Sequence, residues 1–227
     1  MKNITDIFFD LDHTLWDFDA NSVLAFDKIF KEHHPTIDTV KFIKIYAPIN
    51  QACWKLYQVD KITHEELRYT RLRQSFDGLN YTISDNEINH ISHYYIEFMP
   101  DNNQLFDGAI EILKYLQPKY NLHIITNGFA EVQGKKITKS GLGKYFKTIT
   151  NSEMAGVKKP HRNIFEFALS LADVKKENAI MIGDCIDADV RGALNFGMKA
   201  ILFDEKGIYA KEGLQTINHL LELKKIL

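Results

Sequence analysis

At 227 residues, 45% hydrophobic and 26% charged, the chain can bury one sizeable core, or one core and a smaller insert, and its composition excludes a low-complexity or disordered protein. A net charge of −2 with both signs interspersed offers no broad basic face to a nucleic-acid polymer, and no run of about 18 apolar residues could cross a bilayer. The two cysteines, Cys53 and Cys185, lie too far apart in sequence for a thiolate metal pair and give no disulfide framework, so a cytoplasmic location is expected.

The first apolar run, ITDIFFD (4–10), reads as a buried strand that ends in Asp10, with Asp12 two residues on. Burying one unpaired carboxylate costs several kcal/mol or raises its pKa, and a second beside it makes ionising both harder. From about residue 17 to 95 the pattern turns helical: VLAFDKIF (23–30), TVKFIKIYAPINQACWKLY (39–57), HEELRYTRLRQSF (64–76) and NEINHISHYYIEFM (86–99) are amphipathic, with Pro48 expected to kink or break the second. After this block, strands LHIITNG (122–128), FKTITNSE (146–153), AIMIGD (179–184) and KAILFD (199–204) alternate with helices GAIEILKYLQ (108–117), RNIFEFALSLA (162–172) and ADVRGALNFG (188–197). Such alternation implies right-handed crossovers and a parallel sheet. The spacing therefore predicts an α/β core from residues 1–16 plus 96–227, with 17–95 inserted as an α-helical cap.

Ligands of open parallel sheets gather at the carboxyl ends of the strands. There the sequence places Asp10 and Asp12; Thr126, Asn127 and Gly128; Lys158, Lys159 and Pro160; then Gly183, Asp184, Asp187 and Asp189. Asp10, Asp12 and Asp184 are hard oxygen ligands without thiolate or histidine partners, a set suited to Mg²⁺ rather than zinc. Beside them, a lysine, a hydroxyl, a side-chain amide and glycine-loosened backbone N–H groups are the usual means of holding phosphate. Asp10 is placed to attack phosphorus as a nucleophile, and Asp12 to protonate the leaving oxygen and later deprotonate water. That second role needs a raised pKa, which crowding by the other carboxylates would supply. Any one of these segments could be an ordinary turn or helix start. Four of complementary chemistry at successive strand ends point to one site.

DLDHT (10–14), Thr126 with Asn127, Lys159 with Pro160, and GDCIDAD (183–189) together resemble the four motifs of the haloacid dehalogenase-like hydrolases, over nearly the whole chain. The resemblance implies a Rossmann-like core with a type-one helical cap that closes over the site. It makes Asp10 the nucleophile, Asp12 the acid/base that also lends its backbone carbonyl to Mg²⁺, and Asp184 a metal ligand. Thr126 and Lys159 hold the phosphoryl group, and Asp189 stands behind, acting through water or by orienting the lysine; Asp187 has no assigned role. Asp12 favours phosphate over halide substrates, since the dehalogenases proper lack it.

YAPINQACWKLYQVDKIT in the helical block, IITNGF, and the K-P-x-x-x-I-F pattern at 159–165 are most similar to bacterial noncanonical-pyrimidine 5′-nucleotidases. The expected activity is therefore a phosphomonoesterase for small nucleoside 5′-monophosphates in a monomer or homodimer. The alternatives are a sugar-phosphate or phosphoglycolate phosphatase, or a silent phosphate-binding regulator. Trp16, Phe18 and Trp54 are candidates for stacking on a base, with core packing as the competing reading for both tryptophans. Arg68, Arg71 and Arg73, recurring on one helix, fit a solvated face better than a substrate-steering one.

Overall fold

The short apolar runs become parallel strands because each is flanked by polar or glycine-bearing turns and is long enough for only a few buried residues. A computed structural model describes residues 3–209 and 212–227. Its sheet contains β1 (Asp6–Phe9), β2 (Asn121–Thr126), β3 (Thr148–Asn151), β4 (Ala179–Gly183), β5 (Lys199–Phe203) and β6 (Thr216–Ile217). All pair in parallel in the order β3-β2-β1-β4-β5-β6. β6, only two residues long and at the edge, carries too little pattern to be read from sequence.

The helices are α1 (Phe18–His33), α2 (Thr39–Gln58), α3 (His64–Gly78), α4 (Asp85–Phe98), α5 (Ala109–Leu116), α6 (Ala130–Lys139), α7 (Ser152–Ala155), α8 (Arg162–Ala172) and α9 (Gly192–Phe196). The chain divides into two compact units, residues 1–17 with 104–227, and residues 18–103. These divisions fall later in the chain than the expected 16/17 and 95/96, because Trp16 bridges to Asp12 and Leu105 in the first unit while α4 continues to Phe98 in the second.

In the sheet unit, Phe8, Ile125 and Met181 project from one face onto Ile164, Phe165 and Ala168 of α8 and Ala193 of α9. Burying each large apolar side chain contributes about 1.5–3 kcal/mol relative to exposure. The order of strands reverses at β1, whose Phe9, its last residue, lies level with Ile124 of β2 and Ile182 of β4, two residues before β2 ends at Thr126 and one before β4 ends at Gly183. The Asp10 N–H extends the ladder by donating to Ile182 O at 2.9 Å.

At the opposite end of β1, Asp6 accepts from Asn121 Nδ2 at 2.9 Å and pairs with His123 Nε2 at 3.0 Å, while His123 Nδ1 meets Thr148 Oγ1 at 2.8 Å. Burial pushes the His123 pKa below its ordinary 6.5, with the Asp6 contact opposing. A depressed folded-state pKa means that the unfolded chain takes up the proton first as pH falls. Stability from this group is thus full above pH 6.5 and is lost as pH falls below it toward the folded value. Urea midpoints measured across that interval are expected to fall less steeply for His123→Gln than for the unaltered protein.

In the helical unit, α1 to α4 enclose an aromatic core in which Phe26 meets Phe42 at 4.8 Å and Tyr95 at 4.5 Å between ring centroids, and Phe42 meets Phe76 at 5.2 Å. Such pairs add about 0.5–1.5 kcal/mol beyond their buried area. Helix starts are specified locally. Thr63 with Glu66 and Ser84 with Glu87 form reciprocal capping boxes for α3 and α4, and the Asp38 carboxylate accepts from Val40 and Lys41 N–H groups at the start of α2. α2 runs unbroken through Pro48, contrary to a break there. Pro48 and Lys44, one turn back, are both exposed, so water can satisfy the carbonyl that proline leaves without an N–H partner.

Candidate active site

The loop after β1 turns back at once. His13 takes a left-handed conformation (φ 62°), and Thr14, Leu15 and Trp16 N–H groups all return to Leu11 O. This holds Asp10 and Asp12 at the strand end, both partly covered. Thr14 is buried and donates to Asp184 Oδ1 at 3.3 Å, joining the first loop to the loop after β4.

Lys159 is 1% exposed and is the charged centre of the site. Its Nζ lies 2.9 Å from Asp10 Oδ1 and 2.6 Å from Asp189 Oδ1, and donates to Ile125 O at 2.7 Å. Burial by itself would depress the lysine, but the charges of Asp10 and Asp189 together outweigh it and hold the ammonium well above its usual range. Of the lysine doublet, Lys158 is half-buried. Asp10, Asp184 and Asp189 bring carboxylate oxygens within 4.8 Å of one another. Burial, opposed by Lys159, raises Asp10 to about 8; burial and the Asp189 charge raise Asp184 to about 8.

This crowding tests the fit of a divalent cation. Three carboxylates stand against the ammonium of Lys159, the donors are all hard oxygens, and an added dication would offset the burial and like-charge costs that lift Asp10 and Asp184. The set fits Mg²⁺.

Asp12 does not share that cluster. Its Oδ1 accepts from Lys136 Nζ at 2.6 Å and its Oδ2 from Gln133 Nε2 at 2.8 Å, so the expected crowding of Asp12 falls on Asp10 and Asp184 instead. Gln133 also donates to Thr126 Oγ1 at 2.7 Å, and Gly128 N–H donates to the same oxygen at 3.1 Å. With both contacts accepted, the Thr126 hydroxyl keeps its own proton for a ligand oxygen. Gly128 is required here, since a Cβ at this position would occupy the space of the Gln133 amide. Gly183 plays the same part for Asp189, whose carboxylate lies against the Gly183 backbone and whose Oδ2 accepts from Cys185 N–H at 3.0 Å. Asp189 is wholly buried on the π-helical turn Ile186–Arg191 that opens after β4.

Asn127, expected to hold phosphate through its amide, also grips the lysine loop. Its Nδ2 donates to Lys159 O at 2.9 Å and its Oδ1 accepts from Lys159 N–H at 2.7 Å, so both ends of the amide clamp the lysine's backbone to the loop after β2. Asp187 is exposed and pairs with Arg191 at 2.8 Å, as a surface ion pair. The Cys185 thiol is pushed up to about 12 by burial and the Asp189 and Asp184 charges, which leaves it a packing group rather than a reactive thiolate.

Trp16 is wholly buried, with the Lys136 ammonium 4.1 Å from its ring centroid, and a face covered in this way cannot stack on a base. Phe18 is 8% exposed, and Trp54 is half-buried with its ring edge-on to Tyr57. Gln133 and Lys136 were not legible as site residues. They sit three apart on α6, a spacing that shares one face, but nothing in a polar helix marks which polar face is covered.

The haloacid dehalogenase-like hydrolase family model matches residues 6–197. The chain belongs to this family of hydrolases. It is 32% identical over 200 residues to the pyrimidine 5′-nucleotidase PynA of Streptococcus pneumoniae, covering 87% of this chain and 83% of that one. To the pyrimidine 5′-nucleotidase YjjG of Escherichia coli it is 29% identical over 225 residues, covering 97% and 96%. The fold matches the HAD-hydrolase YfnB of Bacillus subtilis, in a crystal structure bound to magnesium that reveals interdomain movement, with a TM-score of 0.89, 28% identity and coverage of 100% and 99%.

Proposed function

We infer that the protein is a Mg²⁺-dependent phosphomonoesterase whose substrates are pyrimidine nucleoside 5′-monophosphates. The observation that carries the phosphatase reading is the placing of the Asp10 carboxylate 2.9 Å from the buried Lys159 ammonium, inside a cluster of acidic oxygens. The likeness to PynA and YjjG carries the substrate class. YfnB, bound to magnesium in its crystal structure, supports the metal.

Asp10 attacks phosphorus, forming a carboxyl O–P bond while the bond to the leaving oxygen breaks. Asp12 delivers a proton to that oxygen as it departs. A water molecule, giving its proton back to Asp12, then attacks phosphorus and breaks the Asp10 O–P bond, releasing inorganic phosphate and restoring both carboxyl groups. Lys159 and the Thr126 hydroxyl steady the phosphoryl oxygens, while the Gly128 N–H holds Thr126 and the Asn127 amide clamps the Lys159 backbone. Asp189 holds the lysine in place. Asp10, Asp184 and the Asp12 carbonyl would hold Mg²⁺, which when bound offsets the negative charge of both the carboxylates and the phosphate. The helical unit serves as the cap and selects the leaving group.

Phosphate release from dUMP, dTMP and phosphoglycolate, each with Mg²⁺ and with a chelator, tests this reading. Hydrolysis of the two nucleotides that stops on chelation and returns with Mg²⁺ is the expected result. Neglect of both nucleotides in favour of phosphoglycolate would overturn the nucleotidase assignment, and metal-independent turnover would overturn the role of the acidic cluster.

A further inference from the structure

Gln133, near the start of α6, is 2% exposed, and among the described residues its Oε1 is buried without a hydrogen-bond partner. A buried amide with an unmet acceptor costs stability, and an apolar side chain of similar shape would fill this position without that cost. What the amide gains lies at its other end. Its Nε2 donates at 2.8 Å to Asp12 Oδ2 and at 2.7 Å to Thr126 Oγ1, so one nitrogen commits both of its hydrogens to two groups of the site. An ionised carboxylate only accepts, so the contact with Asp12 turns the nitrogen inward and leaves the amide oxygen where no donor meets it.

The Asp12 side chain is held at both oxygens. Lys136, one turn further along α6 and 2% exposed, sets its Nζ 2.6 Å from Asp12 Oδ1, and the same ammonium lies 4.1 Å from the centroid of the Trp16 ring. Trp16 in turn bridges back to Asp12 through the backbone. Each carboxylate oxygen thus receives a donor from α6 and keeps a further lone-pair site for a proton. All of these residues belong to the sheet unit.

The Thr126 hydroxyl is assigned to a phosphoryl oxygen, whereas Asp12 has to reach a different oxygen on the same phosphorus, the one that bridges to the leaving group. Both tasks are met at once only if the carboxyl and the hydroxyl keep a fixed separation, and Gln133 is hydrogen-bonded to both. We propose that Gln133 is a positioning residue that sets the Asp12 carboxyl against the phosphoryl group held by Thr126, with Lys136 securing the far oxygen, so that the proton is delivered to the leaving oxygen from a geometry already in place. The inference rests on the phosphatase reading and is independent of which phosphomonoester is the substrate.

Proton delivery matters in proportion to the instability of the departing anion. The alkoxide of dUMP needs the proton as its bond to phosphorus breaks, whereas p-nitrophenolate departs without one. Gln133→Met keeps the length of the side chain and removes both donors. The expected result is that kcat/KM for dUMP divided by kcat/KM for p-nitrophenyl phosphate falls at least about tenfold, a part of the roughly 10²–10⁴ that a positioned general acid contributes. This quantity reports the first phosphoryl transfer and not the later breakdown of the intermediate. A packing defect, or a loosened Thr126, slows both esters alike and cancels from the ratio. In an Asp12→Ala background, Gln133→Met is expected to leave the ratio where Asp12→Ala alone puts it, since the amide then has no carboxyl to place.

An unchanged ratio for Gln133→Met overturns the proposal, as does a further tenfold fall in the Asp12→Ala background. Should Gln133→Met fold poorly, Gln133→Asn draws the amide back by one methylene, and the same fall is expected, with an unchanged ratio again overturning the proposal. Phosphoglycolate takes the place of dUMP if the nucleotide is refused. If the unaltered protein with Mg²⁺ turns over neither the alkyl esters nor p-nitrophenyl phosphate, the phosphatase reading fails and the inference falls with it. Turnover of only one kind of ester by the unaltered protein, or of both with a ratio that Gln133→Met does not move, overturns the inference alone.

Discussion

Asp10→Asn is expected to lower kcat for phosphate release by about four to six orders of magnitude, the range seen when a residue at the centre of covalent catalysis is removed. The amide keeps the shape of the carboxylate but cannot form the acyl-phosphate bond. Stability should move the other way. Burial raises the Asp10 pKa from 3.8 to about 8, with Lys159 opposing, so the folded state binds a proton that the unfolded chain has already released. A raised folded-state pKa gives stability that is fully present below pH 3.8 and is lost as pH rises through about 8. Without added metal, the asparagine variant is therefore expected to show a shallower decline of Tm between those limits. It should also gain less Tm from Mg²⁺, since one charged ligand is gone. Phosphate-release kinetics and thermal melts with and without Mg²⁺ check both halves. Residual turnover within tenfold of the unaltered protein would remove Asp10 from the role of nucleophile.

The strand ends were legible in the sequence because each is a step in polarity at a fixed place: IFF gives way to Asp10, HII to Thr126, and IMI to Gly183 and Asp184. A parallel strand buried on both faces has no other way to end. The helical block was legible for the same reason, since its apolar positions recur at helical spacing and its capping boxes are local. What escaped depends on partners far along the chain. Asp12 looked crowded by Asp10 because they are neighbours in sequence, yet its carboxylate turns to Gln133 and Lys136, more than a hundred residues on. Arg71 looked solvated beside Arg68 and Arg73, but the three positions of α3 face different surroundings: Arg71 is buried against Tyr46 of α2 and Tyr95 of α4, while Arg68 and Arg73 are half-buried. Asn127 had the right chemistry for phosphate, and its clamp on the Lys159 backbone is a second task that its sequence neighbours do not announce. Local pattern thus located the site, while the division of labour within it was set by contacts that no local pattern encodes.

The sharpest consequence of those contacts lies in the buried group Asp10, Lys159 and Asp189. Lys159→Met removes the cation that, alone among the described residues, touches both carboxylates, while filling nearly the same volume, so two acidic groups are left facing each other and an apolar side chain. Breaking a buried ion pair from one side costs about 3–5 kcal/mol, and this loss should appear as a lowered urea midpoint with an unchanged slope. Activity should fall as well, by at least about a hundredfold, because the same ammonium is assigned to the phosphoryl oxygens. The two effects can be separated with a second change. In Lys159→Met/Asp189→Asn the deeper carboxylate is neutralised, and although Asp189 Oδ2 also accepts from the Cys185 N–H, the amide oxygen can take over that bond. The double variant is therefore expected to regain at least half of the lost stability and none of the lost activity. Recovery of both together would mean that Lys159 acts only as a counter-ion in the core and does not handle substrate. Recovery of neither would show that Asp189 is not the carboxylate that Lys159 principally neutralises.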